Sequence, residues 1–161
     1  MRRTNKVNVS GPNPLWRVYR TVSLLKVSIN TVVIELGRFC PSMRLKRRLY
    51  QMIGMTIGPY TSIAYKVTPD IMFPEKISIG KNCVIGFNAT LLCHEYLVHE
   101  YRTGDILIGD EVMVGANAIV LPGVTIGDGA VIGAGSVVSK DVPAGAFACG
   151  CPLQIRSEVK K

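Results

Sequence analysis

From Ile79 onward, aliphatic residues recur every six places. Ile79, Ile85 and Leu91 form one run; Ile108, Val114, Val120, Ile126, Ile132 and Val138 form another. Glycine follows most of them, the departures being Leu92, Leu121 and Ser139. Four places beyond a rung residue stands a small or modest one: Cys83, Ala89, Val112, Ala118, Val124, Ala130, Ser136 and Val142. A helix turns every 3.6 residues and would scatter a six-residue repeat around its circumference. Six is a multiple of two, so strand alternation holds within each unit, and a turn of fixed geometry must separate successive units. Gly after the aliphatic, and Asn at 82, 88 and 117, tolerate the positive φ such corners need. The pattern predicts a parallel β-helix, with the aliphatics stacked inside and the charges outside. A valine-rich antiparallel sandwich fits less well, because hairpin turns keep no such schedule.

The remaining elements surround this stack. Residues 1–13 are polar, end in Gly11-Pro-Asn-Pro14, and read as loose chain. Leu15, Val18, Tyr19, Val22, Leu25 and Ile29, continued by Val33 and Leu36, recur at helical spacing. They predict a helix that starts at Pro14 and stops at Gly37. A second helix is expected from Ser42 to Ile53, capped by Ser42, lined by Leu45, Leu49 and Met52, and ended by Gly54. Ile57-Gly58 to Ile63 reads as the first β-helix unit, after which the beat slips: Val67, Phe73 and Ile79 are six apart, but Ile63 and Val67 are four. Between Leu92 and Leu107 the beat stops altogether, so the chain must leave the stack as a loop. These readings divide the chain into a basic segment (1–54), a β-helix with a loop at about 93–106 (55–143), and a C-terminal extension (144–161).

Charge changes the picture at one end only. Residues 1–50 carry eleven Lys/Arg against the single acid Glu35, whereas the rest carries eight against ten; +10 and −2 make the net +8. Arg17, Arg20, Lys26, Arg44, Lys46, Arg47 and Arg48 fall on the polar side of the helices. Two explanations stand. That side is solvated while the apolar stripe packs on the base of the β-helix, or the segment 14–50 lies on an anionic membrane surface. No nucleic-acid motif accompanies the charges. The five cysteines, Cys40, Cys83, Cys93, Cys149 and Cys151, are an odd number without a secretory signal, which predicts free thiols in a reducing cytoplasm. Cys149-Gly-Cys151 is too closely spaced for a standard zinc pair, and no metal is expected. No apolar run reaches the length of a membrane span. The expected location is the cytoplasm, with the inner membrane surface as the peripheral alternative.

The units match the hexapeptide-repeat pattern, aliphatic-Gly-x-x-small-x. The run from Ile108 to Arg156, above all Val120-Leu-Pro-Gly-Val-Thr-Ile-Gly-Asp-Gly-Ala-Val-Ile-Gly-Ala-Gly-Ser-Val-Val-Ser-Lys-Asp-Val-Pro143, resembles the hexapeptide-repeat acetyltransferases that act on galactosides, maltose and serine. The resemblance covers roughly residues 55–156. It implies a left-handed β-helix with three units per coil, a homotrimer, and acetyl coenzyme A lying in the groove between neighbouring prisms.

Acetyl transfer from a thioester needs a base for the acceptor's proton, donors for the developing oxyanion, and a groove for the donor molecule. Both histidines of the chain lie in the loop. His94 directly follows the ordered rung Leu91-Leu92-Cys93 and matches the histidine that opens the corresponding loop in the sugar acetyltransferases; it is the expected general base. His99 lies five residues further on, and Glu95 is a candidate to orient the imidazole. The resemblance carries the cofactor contacts to Gly115 and to the N–H of Ala116, to Gly133 and Ala134, and to Ser139 and Lys140, with Lys140 and Arg156 facing phosphates. Repeat turns need these glycines in any case. Met113 stands where some relatives have Trp. The acceptor-binding residues do not carry over, and a small sugar or polyol hydroxyl is favoured over serine because a long helical N-terminal domain is absent. The alternatives are a non-catalytic trimeric scaffold and a membrane-surface binding module. Carbonic anhydrases of similar shape need more histidines than His94 and His99 supply.

Overall fold

The structure, a computed structural model, describes residues 2–156; the start of the chain at Met1 and the basic tail ending in Lys160-Lys161 lie outside the described residues. In chain order come strand β1 (Asn5–Asn8), a 3-10 segment (Pro14–Arg20), helix α1 (Leu24–Phe39) and helix α2 (Met43–Met52). The first coil follows as β2 (Thr56–Ile57), β3 (Ser62–Ile63) and β4 (Thr68–Pro69), and the second as β5 (Ile77–Ile79), β6 (Val84–Ile85) and β7 (Thr90–Leu91). A hairpin then departs as β8 (His94–Tyr96) and β9 (Glu100–Thr103). The stack resumes with β10 (Ile106–Ile108), β11 (Met113–Val114) and β12 (Ile119–Val120), then β13 (Thr125–Ile126), β14 (Val131–Ile132) and β15 (Val137–Val138). Strands β16 (Phe147–Cys149) and β17 (Gln154–Arg156) end it.

Three parallel sheets result, each taking one strand from every complete coil: β2-β5-β10-β13, β3-β6-β11-β14-β16 and β4-β7-β12-β15. The rungs align aliphatic on aliphatic, as in Ile63↔Ile85 and Ile85↔Val114↔Ile132. Ile79, Ile85, Leu91, Ile108, Val114, Val120, Ile126, Ile132 and Val138 are all buried in one core. The stack continues past Pro143, since Phe147 and Ala148 pair in parallel with Val131 and Ile132. Corner residues adopt positive φ at matching places: Tyr60, Asn82, Glu111, Gly129 and Gly145 at one corner, Lys66, Asn88, Asn117 and Gly135 at the next.

The expected slip after Ile63 is not a slip. Pro69 pairs with Leu91 and occupies the aliphatic place six residues after Ile63, while Val67 fills the small-residue place before it. The coil then swings out at the third corner, through Asp70 to the 3-10 turn Pro74–Lys76.

The helical segment also departs from expectation. The chain breaks between Arg20 and Leu24, so the apolar face drawn from Leu15 to Leu36 does not run in one phase. Helix α1 instead buries Val27, Asn30, Ile34 and Gly37. Gly37 is no stop signal: the helix runs on to Phe39, and a Cβ at Gly37 would sit 2.9 Å from Tyr50 Cζ. Gly37 is therefore the contact at which α2 seats on α1. Ser42 does cap α2, its hydroxyl accepting from Leu45 N–H at 3.4 Å. Lys46, expected on the solvated side, is 1% exposed; its ammonium donates to the carbonyls of Ile63 (3.1 Å) and Ala64 (2.9 Å), and burial pulls its pKa down. The helices thus cover the open end of the first coil, where a bare rung would leave apolar surface wet.

Residues 2–9, expected to be loose, are held in place. Strand β1 pairs antiparallel with β9, Asn5 opposite Thr103 and Asn8 opposite Glu100, and makes the hairpin three-stranded. Arg2 pairs with Glu95 at 2.5 Å, Lys6 pairs with Glu100, and Arg3 N–H donates to Gly123 O at 3.0 Å. A polar strand with every side chain exposed carries no alternation, so its own sequence gives no sign of it.

Candidate active site

His94 opens the hairpin at the third corner. Its Nδ1 lies 2.6 Å from Asp70 Oδ2. Asp70 sits one coil lower, immediately after Pro69, and its side chain is wholly buried, whereas the imidazole is 17% exposed. Four donors converge on this carboxylate. Met72 N–H (2.8 Å) and Phe73 N–H (2.9 Å) donate to Oδ1; Cys93 N–H (2.6 Å) and the imidazole reach Oδ2. Burial pushes the Asp70 carboxyl up, but the hydrogen bond and charge of His94, helped by the Phe73 and Cys93 N–H groups, outweigh it and hold the acid below its ordinary range. An ionised carboxylate only accepts. Nδ1 therefore carries a proton, and in the neutral imidazole the lone pair is on Nε2.

Phe73 and Tyr96 stand edge-on to the imidazole at 6.1 and 5.5 Å between ring centroids. Tyr96 stacks on Tyr101 at 5.5 Å, and its hydroxyl meets Thr21 Oγ1 at 3.2 Å. Burial raises the Tyr96 phenol's pKa. Cys93 is buried behind the histidine, and burial drives its thiol well above the ordinary range, so it is no nucleophile.

Glu95, the expected orienter, pairs with Arg2 instead. The residue that holds the imidazole is Asp70, which the six-residue pattern did not single out. Its signal was present: with Pro69 counted as a rung residue, Asp70 falls beside the start of the loop one coil above. His99 is exposed at the hairpin turn, its carbonyl accepting from Val9 N–H at 2.8 Å.

The expected cofactor residues divide between corners. Ser139 and Lys140 are exposed at the third corner, the same edge as His94. Gly115, Ala116, Gly133 and Ala134 lie at the second corner, across the β4-β7-β12-β15 sheet. Arg156 is exposed on β17. One chain thus does not bring His94 to Ala116. A Cβ on Gly115 would lie 2.5 Å from Ala134 N, so coil stacking alone requires that glycine. Among the described residues the N–H of Ala116 is free, as are those of Phe87 and Ala134 at the same corner place of the neighbouring coils. Gly115 N–H donates to Ile132 O and Asn117 N–H to Phe87 O, but among the described residues the Ala116 N–H has no acceptor. No group of three His, Cys, Asp or Glu is placed to hold a metal among the described residues.

The family description "Bacterial transferase hexapeptide (six repeats)" matches residues 105–140, and "Hexapeptide repeat of succinyl-transferase" matches residues 76–92. YvoF of Bacillus subtilis (strain 168), provisionally named an acetyltransferase, is 57% identical over 156 residues, 96% of this chain and 91% of its own length. The chain belongs to the hexapeptide-repeat acetyltransferase family. A Staphylococcus aureus (strain MSSA476) member, also provisionally named an acetyltransferase, is 54% identical over 145 residues, 89% of this chain and 90% of its own. Among solved members of the family, a galactoside acetyltransferase in complex with coenzyme A superposes with a TM-score of 0.63 at 28% identity, covering 84% of this chain and 82% of the other. A Vibrio cholerae hexapeptide-repeat acetyltransferase complexed with acetyl coenzyme A is alike in fold, with a TM-score of 0.71 at 22% identity over 85% and 88% of the two chains. The stack of parallel coils is accordingly the left-handed β-helix of this family.

Proposed function

We propose that the protein transfers an acetyl group from acetyl coenzyme A to the hydroxyl of a small sugar or polyol, with His94 as general base. The observation that carries this reading is the buried Asp70 carboxylate at 2.6 Å from His94 Nδ1, which commits Nε2 to accepting a proton. Nε2 takes the acceptor's hydroxyl proton as the oxygen attacks the thioester carbon. The tetrahedral intermediate then collapses, the C–S bond breaks, and the imidazolium returns the proton to the departing thiolate. Asp70 stabilises the imidazolium between these steps without taking its proton, as the carboxylate does in other carboxylate–histidine pairs.

The unpartnered Ala116 N–H is the donor for the carbonyl oxygen on which negative charge develops. Since Ala116 and His94 lie at different corners of one prism, the site is completed between two chains, the second corner of one facing the third corner of the next. A trimer of prisms supplies three such grooves. Gly115 and Ala134 line the pantetheine path, Ser139 and Lys140 border it near His94, and Lys140 and Arg156 serve the phosphates. A related galactoside acetyltransferase solved with coenzyme A supports this choice of donor. The helical segment and the prism, which runs on through β16, act as one unit around that groove, in the cytoplasm where acetyl coenzyme A is made.

The test is a panel of sugars, polyols, amino acids and amino sugars, read as coenzyme A thiol released from acetyl coenzyme A. A hydroxyl acceptor that raises release well above the acceptor-free rate supports the proposal. Amine acceptors as the sole active class would replace it with N-acetylation. Failure of coenzyme A to raise the melting temperature would favour a scaffold.

A further inference from the structure

Helix α1 has two apolar faces. Val27, Asn30, Ile34 and Gly37 are buried within an arc of about 80°. Leu25, Ile29, Val32, Leu36 and Phe39 fill an arc of similar width on the opposite side, and each is 48–70% exposed. The second face points away from the prism, and nothing among the described residues covers it. Leu15, Trp16 and Tyr19 of the preceding 3-10 segment are also exposed, Trp16 by 84%. A single exposed leucine is ordinary, but a five-residue stripe on one helix marks an interaction surface.

The charge of the N-terminal segment selects the partner. Residues 2–69 hold twelve Lys/Arg and one acid, Glu35. Glu35 is occupied by Arg38 at 2.7 Å. Arg17, Arg20, Arg44, Arg47 and Arg48 make no ion pair among the described residues. Trp16 and Tyr19 share one surface hollow with Arg17 and Arg20. Arg44, Arg47 and Arg48 line a separate hollow with Tyr60, so Arg17 and Arg20 are the cations placed beside the exposed Trp16 and Tyr19. A phospholipid surface with anionic headgroups offers the complement to both parts: acyl chains for the stripe, phosphates for the guanidinium groups, and the headgroup boundary for Trp and Tyr. At sixteen residues α1 extends about 24 Å. No described helix is long and apolar enough to cross a membrane, so α1 would lie in the interface plane.

We infer that the N-terminal helical segment is a docking surface for an anionic lipid bilayer, held there by the α1 stripe and by Arg17 and Arg20 beside Trp16 and Tyr19. The surface is distinct from the His94 site and stands whether or not the acetyl-transfer reading does.

The test is co-sedimentation of the full chain with vesicles of phosphatidylcholine alone and of equal parts phosphatidylcholine and phosphatidylglycerol. Binding is expected to the second and not to the first. Two exposed-residue variants follow: Leu25→Gln with Ile29→Gln and Leu36→Gln, and Arg17→Gln with Arg20→Gln. Circular dichroism and the melting temperature establish that both fold. The first should lose vesicle binding. The second should weaken partition about fivefold per arginine removed. Equal sedimentation with neutral and anionic vesicles, binding by the stripe variant at the wild-type level, or no binding at all would overturn the inference. A stripe variant that instead shifts the oligomeric state in sedimentation velocity, with vesicle binding unchanged, would assign the face to a second copy and overturn it equally.

Discussion

Replacing Asp70 by Asn changes one atom type at the point where four donors meet. The carboxylate satisfies all four: Met72 and Phe73 N–H on one oxygen, Cys93 N–H and His94 Nδ1 on the other. An amide keeps one oxygen and turns the second position into a donor. With the amide oxygen toward Met72 and Phe73, the NH2 faces Cys93 N–H and the imidazole. The imidazole adapts by moving its proton to Nε2, and the Cys93 N–H alone loses its acceptor. With the amide reversed, two backbone N–H groups are orphaned instead. A buried unsatisfied donor costs about 1–3 kcal/mol, so the first orientation wins and sets the loss of stability at about that value. For a chain of this length the melting temperature should fall by about 2–12 °C. The winning orientation also protonates the very nitrogen that must act as base, so turnover should drop by about 10² to 10⁴. Initial rates of thiol release, beside a thermal melt, measure both effects. Turnover equal to wild type in a variant that melts lower would make the Asp70–His94 pair purely structural and refute the reasoning. The same carboxyl is held below its ordinary value in the folded chain. The folded state therefore binds fewer protons there than the unfolded one once pH falls below about 4; the stability this contributes is fully present above that pH and is lost as pH falls through the lowered value. Asp70→Asn should flatten that acid limb.

Deleting residues 2–9 removes β1 and with it the Arg2–Glu95 and Lys6–Glu100 pairs. Turnover should fall at least about tenfold through misplacement of the His94 hairpin, while coenzyme A still raises the melting temperature; unchanged turnover would show that the hairpin needs no third strand. Gly37→Ala sets a methyl against the locked ring of Tyr50, whose hydroxyl bonds Val67 O at 3.3 Å. A loss of about 1–3 kcal/mol in urea unfolding is expected, and no change would mean that the helix pair slides freely. Glu111 is exposed with φ of 58°, a place where the equivalent corner residue one coil below is Asn82. Glu111→Asn should raise stability by about 0.5–1 kcal/mol. Cys83 and Cys93 are buried with thiols raised by burial, whereas Cys151 is exposed. Mass spectrometry of native protein treated with iodoacetamide at neutral pH should find Cys151 modified and those two protected until urea is added.

The prism was legible because its rule is local: each unit repeats an aliphatic residue, a tight corner and a small residue, and each coil stacks only on its neighbours. Pro69 hid one rung because proline is not the aliphatic residue the rule asks for, although it fills the same inward place opposite Leu91. Missing that rung meant missing Asp70, since only the true register sets Asp70 beside His94. Strand β1 was not legible for a different reason: its partner lies more than ninety residues away, and its side chains stay in water. The helices were visible as helices, but α1 is apolar on two sides, so periodicity alone did not say which side faces the prism. Lys46 misled as well, because burial of an ammonium between two carbonyls has no signature in a run of basic residues.

The most direct measurement is the initial rate of acetyl transfer by His94→Ala, with His99→Ala beside it and coenzyme A thermal shifts for both. The account predicts that His94→Ala loses about 10² to 10⁴ in turnover while its melting temperature still rises with coenzyme A, and that His99→Ala works at the wild-type rate. Transfer by His94→Ala at the wild-type rate would contradict it.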